Sequence, residues 1–243
     1  GLGDVYKRQV RGRLKKERYS LLVGDSVTIT EDSWIDTIEP RRNSLRRPAI
    51  ANIDQVIVVV AAREPDIHPL LLDRLLVMIH HSHIPPVLVI NKYDLHTEDT
   101  MKLKSIYENI GYTVLCTSTY TGEGIEELRH VLHGKISAFA GPSGVGKRSL
   151  LNAVDPNFAF QTGAVSDKIK RGRHTTRHAS LYSLDESSFI MDTPGFSALE
   201  HTGMTVEELV HTFPEFGDHD RGCKFSPCSH SHEPICSVKD ALA

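Results

Sequence analysis

The sequence predicts an α/β fold built on a mostly parallel sheet, with a small β module before it and a metal-binding segment after it. Three observations carry this. Between residues 56 and 132, apolar runs of strand length alternate with runs of helical periodicity, the pattern of strands buried on both faces and joined by helices. Residues 136–151, ISAFAGPSGVGKRSLL, pass from an apolar run through a glycine-rich loop into a helical pattern. The flanks differ in texture: short β-like runs precede residue 40, and three cysteines crowd residues 223–236.

At 243 residues the chain has room for one to two domains and can bury a real core. Its longest uninterrupted apolar run, Val56 to Ala62, is far too short to span a bilayer, and no secretory pattern opens it. Residues 1–9, GLGDVYKRQ, fit nothing that follows and are read as a possible cloning or assembly scar. A net charge of −3 argues against wholesale coating of nucleic acid. The basic residues are unevenly placed, however. Residues 1–50 hold eleven Lys or Arg against seven Asp or Glu, and a second cluster comprises Lys168, Lys170, Arg171, Arg173 and Arg177. Either cluster could meet phosphate backbones or simply be a solvated loop. Cysteines at metal-site spacing, rather than in a disulfide framework, point to a reducing, cytoplasmic compartment.

In chain order, β-like runs at Val10–Leu14, Leu21–Val23, Val27–Ile29 and Trp34–Ile38 suggest a small antiparallel barrel. Only three or four strands are visible, whereas a closed barrel of this size needs about five. A basic linker, Pro40 to Pro48, follows. Next come strand Val56–Ala62, helix Leu70–His83, strand Pro86–Ile90, helix Glu98–Ile110, strand Thr113–Thr117 and helix Ile125–Leu132. The glycine-rich loop and its helix follow, and after a basic gap two strands, Ala179–Leu184 and Ser188–Met191. Ligands of such sheets bind outside the carboxyl ends of the strands.

The loop Gly141, Pro142, Ser143, Gly144, Val145, Gly146 before Lys147 is a phosphate cradle. Glycines let backbone N–H groups converge on anionic oxygens, the helix N-terminus adds its positive end, and Lys147 reaches the terminal phosphates. The pattern calls next for Ser or Thr to ligate magnesium. Arg148 stands there, and Ser149, one place later, lies about 100° further round the helix. A glycine-rich turn without a ligand is the plain alternative.

Asn91-Lys92-Tyr93-Asp94 ends a strand. A carboxylate at Asp94 can accept both N1–H and the exocyclic amino group of guanine, a pairing adenine cannot offer. The Lys92 stem can lie along the base plane, and Asn91 can tie the loop to its neighbours. Thr117-Ser118-Thr119, before Gly122 and a helix start, would bring backbone amides near Ser118 to the guanine carbonyl. Asp192-Thr193-Pro194-Gly195 supplies a carboxylate to hold magnesium through water and a Gly195 N–H to sense the γ-phosphate. His174, Thr175 and Thr176 furnish a switch that can close on the metal, with His174 the nearest group able to hydrogen-bond a water. These parts stand out of the usual GTPase order, since NKYD and TST precede the phosphate loop. That is a circular permutation, which preserves a site whose elements still meet in space.

Cys223, Cys228, His230 and Cys236 give Cx4CxHx5C, the donor set of a tetrahedral structural zinc site with no open position. His232 rivals His230 for the histidine place.

Together these residues resemble the RsgA (YjeQ) family, circularly permuted GTPases that depend on the small ribosomal subunit. The resemblance runs from Val10 through the RRNSLRRPAIANIDQ linker, NKYD, GPSGVGK, RGRHTTRH, DTPGF and the zinc spacing. It implies a partial OB-fold RNA-binding domain at 1–46, a permuted P-loop GTPase domain at 47–200 and a zinc-binding domain at 201–243. Both ends look clipped beside the family. It also implies GTP/GDP with Mg2+, one structural Zn2+, and action late in small-subunit maturation with 16S rRNA contacted by both flanking domains. A soluble, cytoplasmic monomer is expected. A serine in the family at the place of Arg148 makes a nucleotide-holding, rRNA-bound scaffold the rival reading. A P-loop ATPase is disfavoured by Asp94.

Overall fold

The computed structural model describes residues 21–32, 34–45, 48–158, 180–192, 203–217 and 219–242. The expected strand at Val10–Leu14, the basic cluster at 168–177 and the residues His174, Thr175, Thr176 and Gly195 lie outside them. Strands β1 (Val27–Ile29) and β2 (Ile35–Ile38) pair antiparallel. Of the run Leu21–Val23 only Val23 pairs, in an isolated bridge to Ile50.

Part of the stretch read as a basic linker is structured. β3 (Ser44–Leu45) and β4 (Ile50–Ala51) form a short antiparallel pair. Asn43 braces it, donating to the Ile53 carbonyl at 2.7 Å and accepting from the Ile53 amide at 2.9 Å. Two-residue strands leave no periodicity to read; side-chain amides do here what a longer ladder does elsewhere.

The remaining elements follow the expected alternation: β5 (Gln55–Ala61), α1 (Pro69–His81), β6 (Pro86–Asn91), α2 (Glu98–Ile110), β7 (Thr113–Cys116), α3 (Ile125–Leu132), β8 (Ile136–Ala140), α4 (Lys147–Val154), β9 (Ser180–Ser183) and β10 (Phe189–Asp192). Local signals set several boundaries. Thr97 and Thr100 form a reciprocal cap at the start of α2, and Gly111 at φ 105° ends it, as helix-terminus chemistry requires.

One six-stranded sheet runs β7-β6-β5-β8-β10-β9, parallel except for the β9–β10 pair. The chain builds β5, β6 and β7 outward, then returns to lay β8 on the other side of β5. The strand order therefore reverses between β5 and β8, where an α/β sheet opens a crevice. Alternate residues of β5 enter opposite layers. Val56, Val58 and Val60 meet Leu72, Leu76 and Ile79 of α1, while Ile57, Val59 and Ala61 meet Leu128 of α3 and Leu150 of α4. Burying both faces accounts for the unbroken QVIVVVA run.

Beyond the sheet come the short helices α5 (Val206–Val210) and α6 (Ser237–Ala241), with 3-10 turns between them at Pro214–Phe216 and Asp220–Gly222. No helix among the described residues is long and apolar enough to cross a membrane.

Candidate nucleotide and metal sites

The glycine-rich loop leaves β8 beside the end of β5, at the reversal point of the sheet. Val145 is buried and packs with Leu150 and Leu151 of α4, while Ser143 and Gly144 face solvent. Gly146 caps α4 at φ 92°, and a Cβ there would lie 2.4 Å from Asn91 Nδ2. Only glycine fits that approach. The Lys147 ammonium donates to the carbonyls of Gly141 (2.6 Å) and Pro142 (2.7 Å). It thus rests on the rim of its own loop. Arg148 and Ser149 are both exposed in the first turn of α4.

Asn91 joins three loops. Buried at 1% exposure, it donates from Nδ2 to the Val145 carbonyl at 2.8 Å and accepts at Oδ1 from the Thr117 hydroxyl at 3.1 Å. Lys92 adopts a left-handed backbone, φ 56°, and its ammonium donates to the Glu64 carbonyl beyond β5. Asp94 sits exposed in the 3-10 turn Tyr93–Leu95. One of its carboxylate oxygens accepts from the fully buried Ser118 hydroxyl at 2.5 Å.

Ser118 also closes its own loop. Its own amide donates to the Glu123 carbonyl at 3.0 Å, and the amides of Tyr120 and Thr121 donate to its Oγ, each at 3.2 Å. These three N–H groups close the loop, and the serine orients the Asp94 carboxylate. Nearby, burial pushes the Cys116 thiol above its ordinary range, so it stays neutral.

At the other end of the chain, ring and sulfur donors converge. The ligand atoms of Cys223, Cys228, His230 and Cys236 all lie within 4.8 Å of one another. Cys223 Sγ is 3.9 Å from Cys236 Sγ and 3.7 Å from His230 Nδ1, and His230 Nδ1 is 3.3 Å from Cys236 Sγ. Tetrahedral zinc, with bonds of about 2.3 Å to sulfur and about 2.0 Å to nitrogen, needs ligand atoms roughly 3.5–3.8 Å apart. The donor set fits. His232 is exposed and outside the group. The ring of Phe216 meets His230 edge-on at 5.2 Å, and the Ser237 hydroxyl lies 3.3 Å from Cys223 Sγ, lowering that thiol to about 7.

The family model for the RsgA GTPase matches residues 38–202. The chain belongs to the RsgA GTPase family. It is 47% identical over 246 residues to the small ribosomal subunit biogenesis GTPase RsgA of Alkaliphilus metalliredigens, covering 98% of this chain and 84% of that one. To the protein of the same name from Agathobacter rectalis it is 44% identical over 248 residues, covering 99% and 82%. Among solved structures, YjeQ from Thermotoga maritima matches with a TM-score of 0.82 at 40% identity, covering 96% of this chain and 81% of that one. YloQ, described as a circularly permuted GTPase, matches at 0.76 and 36%, covering 96% and 77%.

Within this RsgA-family chain, Asn91, Lys92, Asp94, Ser118 and the loop 141–147 come together at the carboxyl ends of β5, β6 and β8 and beside β7. Asp192 ends β10, paired with Ser180. Its strand neighbours β8, so its backbone reaches the same edge of the sheet. Sequence reasoning missed the Thr117 hydroxyl, the Glu64 carbonyl and the orienting role of Ser118. The run TST hinted at the first and last, but which hydroxyl meets which carboxylate depends on the strand order.

Proposed function

We propose that the chain binds guanine nucleotide between the 91–94 turn and the 141–147 loop and hydrolyses GTP to GDP and phosphate in maturation of the small ribosomal subunit. One observation carries the reading. Asn91 binds the phosphate loop and the Thr117 loop at once, so base recognition and phosphate binding form one rigid unit despite the permuted order. In this reading Asp94, held by Ser118, accepts from guanine N1–H and the exocyclic amine. Lys92 lies along the base. The loop amides of Gly141, Pro142, Ser143, Gly144, Val145 and Gly146 bind the phosphates, and the Lys147 ammonium moves from its two carbonyls to the terminal phosphate oxygens.

Magnesium, held through Asp192, would neutralise charge developing on those oxygens. Gly195 senses the γ-phosphate, His174 orients water, and Thr175 and Thr176 close the switch. Phe196 follows Gly195, where some GTPases place a glutamine, so intrinsic turnover is slow and rises when the subunit orders the switch. The Cys3His cluster holds one structural Zn2+. The chain acts as a cytoplasmic monomer that contacts 16S rRNA.

Arg148 favours a second reading, a subunit-bound scaffold that holds nucleotide with little turnover, because no hydroxyl follows Lys147 directly. GTP hydrolysis with and without purified small subunits, in magnesium, tests both. Strong stimulation supports the GTPase, whereas tight GDP binding with no hydrolysis in either condition supports the scaffold. Equal affinity for ADP and GDP would refute guanine recognition.

A further inference from the structure

Among the described residues five other than glycine take a left-handed backbone, and two of these are bonded to each other beside the candidate nucleotide site. Glu64 stands at φ 55° and Lys92 at φ 56°, and the Lys92 ammonium donates to the Glu64 carbonyl. A residue with a Cβ resists this conformation. It persists only where the surroundings impose it, and such strain gathers at functional sites.

The turn that carries Glu64 leaves the carboxyl end of β5, between the ends of β6 and β8. Its base is fixed to the 91–94 turn, because the Ala62 amide donates to the Asn91 carbonyl at 2.7 Å. Toward the glycine-rich loop it is looser. A Cβ built on Gly144 would lie 3.6 Å from Pro65 Cδ, and a cavity of about 130 Å3, lined by Ile67, Leu72, Pro142 and Val145, lies behind that approach. Residues 63–66 are all exposed, so their conformation is set by these few contacts and not by core packing. Lys92 is half-buried, its stem strung between its own backbone and the Glu64 carbonyl. An untethered lysine gives up rotamer freedom when a ligand meets it. Here the stem is placed in advance, an apolar bar with its charged end tied down.

We propose that Glu64 is a positioning residue for nucleotide binding: its left-handed backbone aims a carbonyl at the Lys92 ammonium, and that bond lays the Lys92 stem where the guanine plane is to rest. This rests on the guanine-nucleotide reading above. The carboxylate of Glu64 has no part in it; the backbone angle does.

The test measures GDP affinity of the full chain by calorimetric titration. Glu64→Val, whose branched side chain resists a left-handed backbone, is expected to weaken GDP binding by about tenfold. Glu64→Gly adopts that backbone freely and is expected to rescue binding to within about twofold of the parent, although the carboxylate is gone. Lys92→Met keeps an unbranched stem, removes the ammonium and is expected to lose about tenfold. Glu64→Val should then cost nothing further in the Lys92→Met background, because both changes break one bond. A merely structural defect at residue 64 would persist there. Should Glu64→Val fail to fold, Pro65→Gly loosens the same exposed turn. It is expected to lose about threefold in the parent and nothing in Lys92→Met. Parent-like binding by Glu64→Val, or by Pro65→Gly where that variant is used, would overturn the proposal. So would a loss in Glu64→Gly as large as in Glu64→Val, or losses that multiply in the double variant. A parent chain that binds GDP no better than ADP would overturn the guanine reading beneath it instead.

Discussion

Replacing Asn91 by alanine removes two hydrogen bonds at once and leaves their partners behind. The Val145 carbonyl loses its donor at 2.8 Å and the Thr117 hydroxyl loses its acceptor at 3.1 Å. Thr117 is 0% and Val145 1% exposed, so water reaches neither without rearrangement. A stranded buried polar group costs roughly 1–3 kcal/mol. Two of them, with some relaxation of the loops, set the loss at about 2–4 kcal/mol, a large share of a total stability of roughly 5–15 kcal/mol. Urea denaturation should show a lower midpoint at unchanged slope, and GDP affinity should fall with it, because the phosphate loop and the base turn no longer share an anchor. Thr117→Val, which removes one donor, is expected to cost about 1 kcal/mol and to add nothing in the Asn91→Ala background. A loss under about 1 kcal/mol for Asn91→Ala, with GDP affinity unchanged, would refute the claim that this amide ties the two halves together.

Asp94→Asn should weaken GDP binding by about 100-fold and erase the preference over inosine diphosphate, read by competition, since the carboxylate that pairs with two guanine donors is gone. Arg148→Ser should raise magnesium-dependent turnover at saturating GTP by about tenfold and leave GDP affinity within about twofold, checked by a magnesium titration. Cys236→Ser should lower the zinc content measured by mass spectrometry from one ion per chain toward none and expose residues 203–242 to protease, because this segment's own apolar cluster is small. Asp185 accepts from the Ser187 and Ser188 amides at 2.7 and 2.8 Å and from the Ser188 hydroxyl at 2.6 Å. These bonds, the Ser188 hydroxyl first, hold its carboxyl well below the usual range. A carboxylate with a depressed folded value stabilises above its ordinary pKa and loses that contribution as pH falls. The stability gap between the parent and Asp185→Asn should therefore be full at about pH 6 and shrink below about pH 4.

The sheet was legible because β5, β6 and β8 are apolar on both faces, and the helices because their periodicity and caps are local. The ranges Glu98–Ile110 and Ile125–Leu132 agree to the residue with those read from the sequence. The Cys3His cluster was legible because its members lie within fourteen residues of one another. What escaped reading depends on contacts distant along the chain. The β3–β4 pair is too short to show a period and is held by Asn43 and Asn52. The Ser118 bond to Asp94 spans 24 residues, and Gly24 approaches Met191 from far along the chain. Motif spacing marked the residues of the candidate nucleotide site, and the strand order determined their partners.

The placement of β5 bears on how this chain is made. In the finished molecule β5 lies between β6 and β8, but a chain growing from its amino end completes β5, β6 and β7 before β8 exists. Until residues 136–140 emerge and insert, one full side of QVIVVVA is an open edge, uncharged and rich in valine, the kind of edge that recruits other strands. Translation therefore produces the half carrying residues 91–94 first and leaves it sticky along the seam where the half carrying the 141–147 loop must join. Closing that seam and bringing the 91–94 turn to the 141–147 loop are one event, so on the proposed reading the nucleotide site is completed only as this strand is buried.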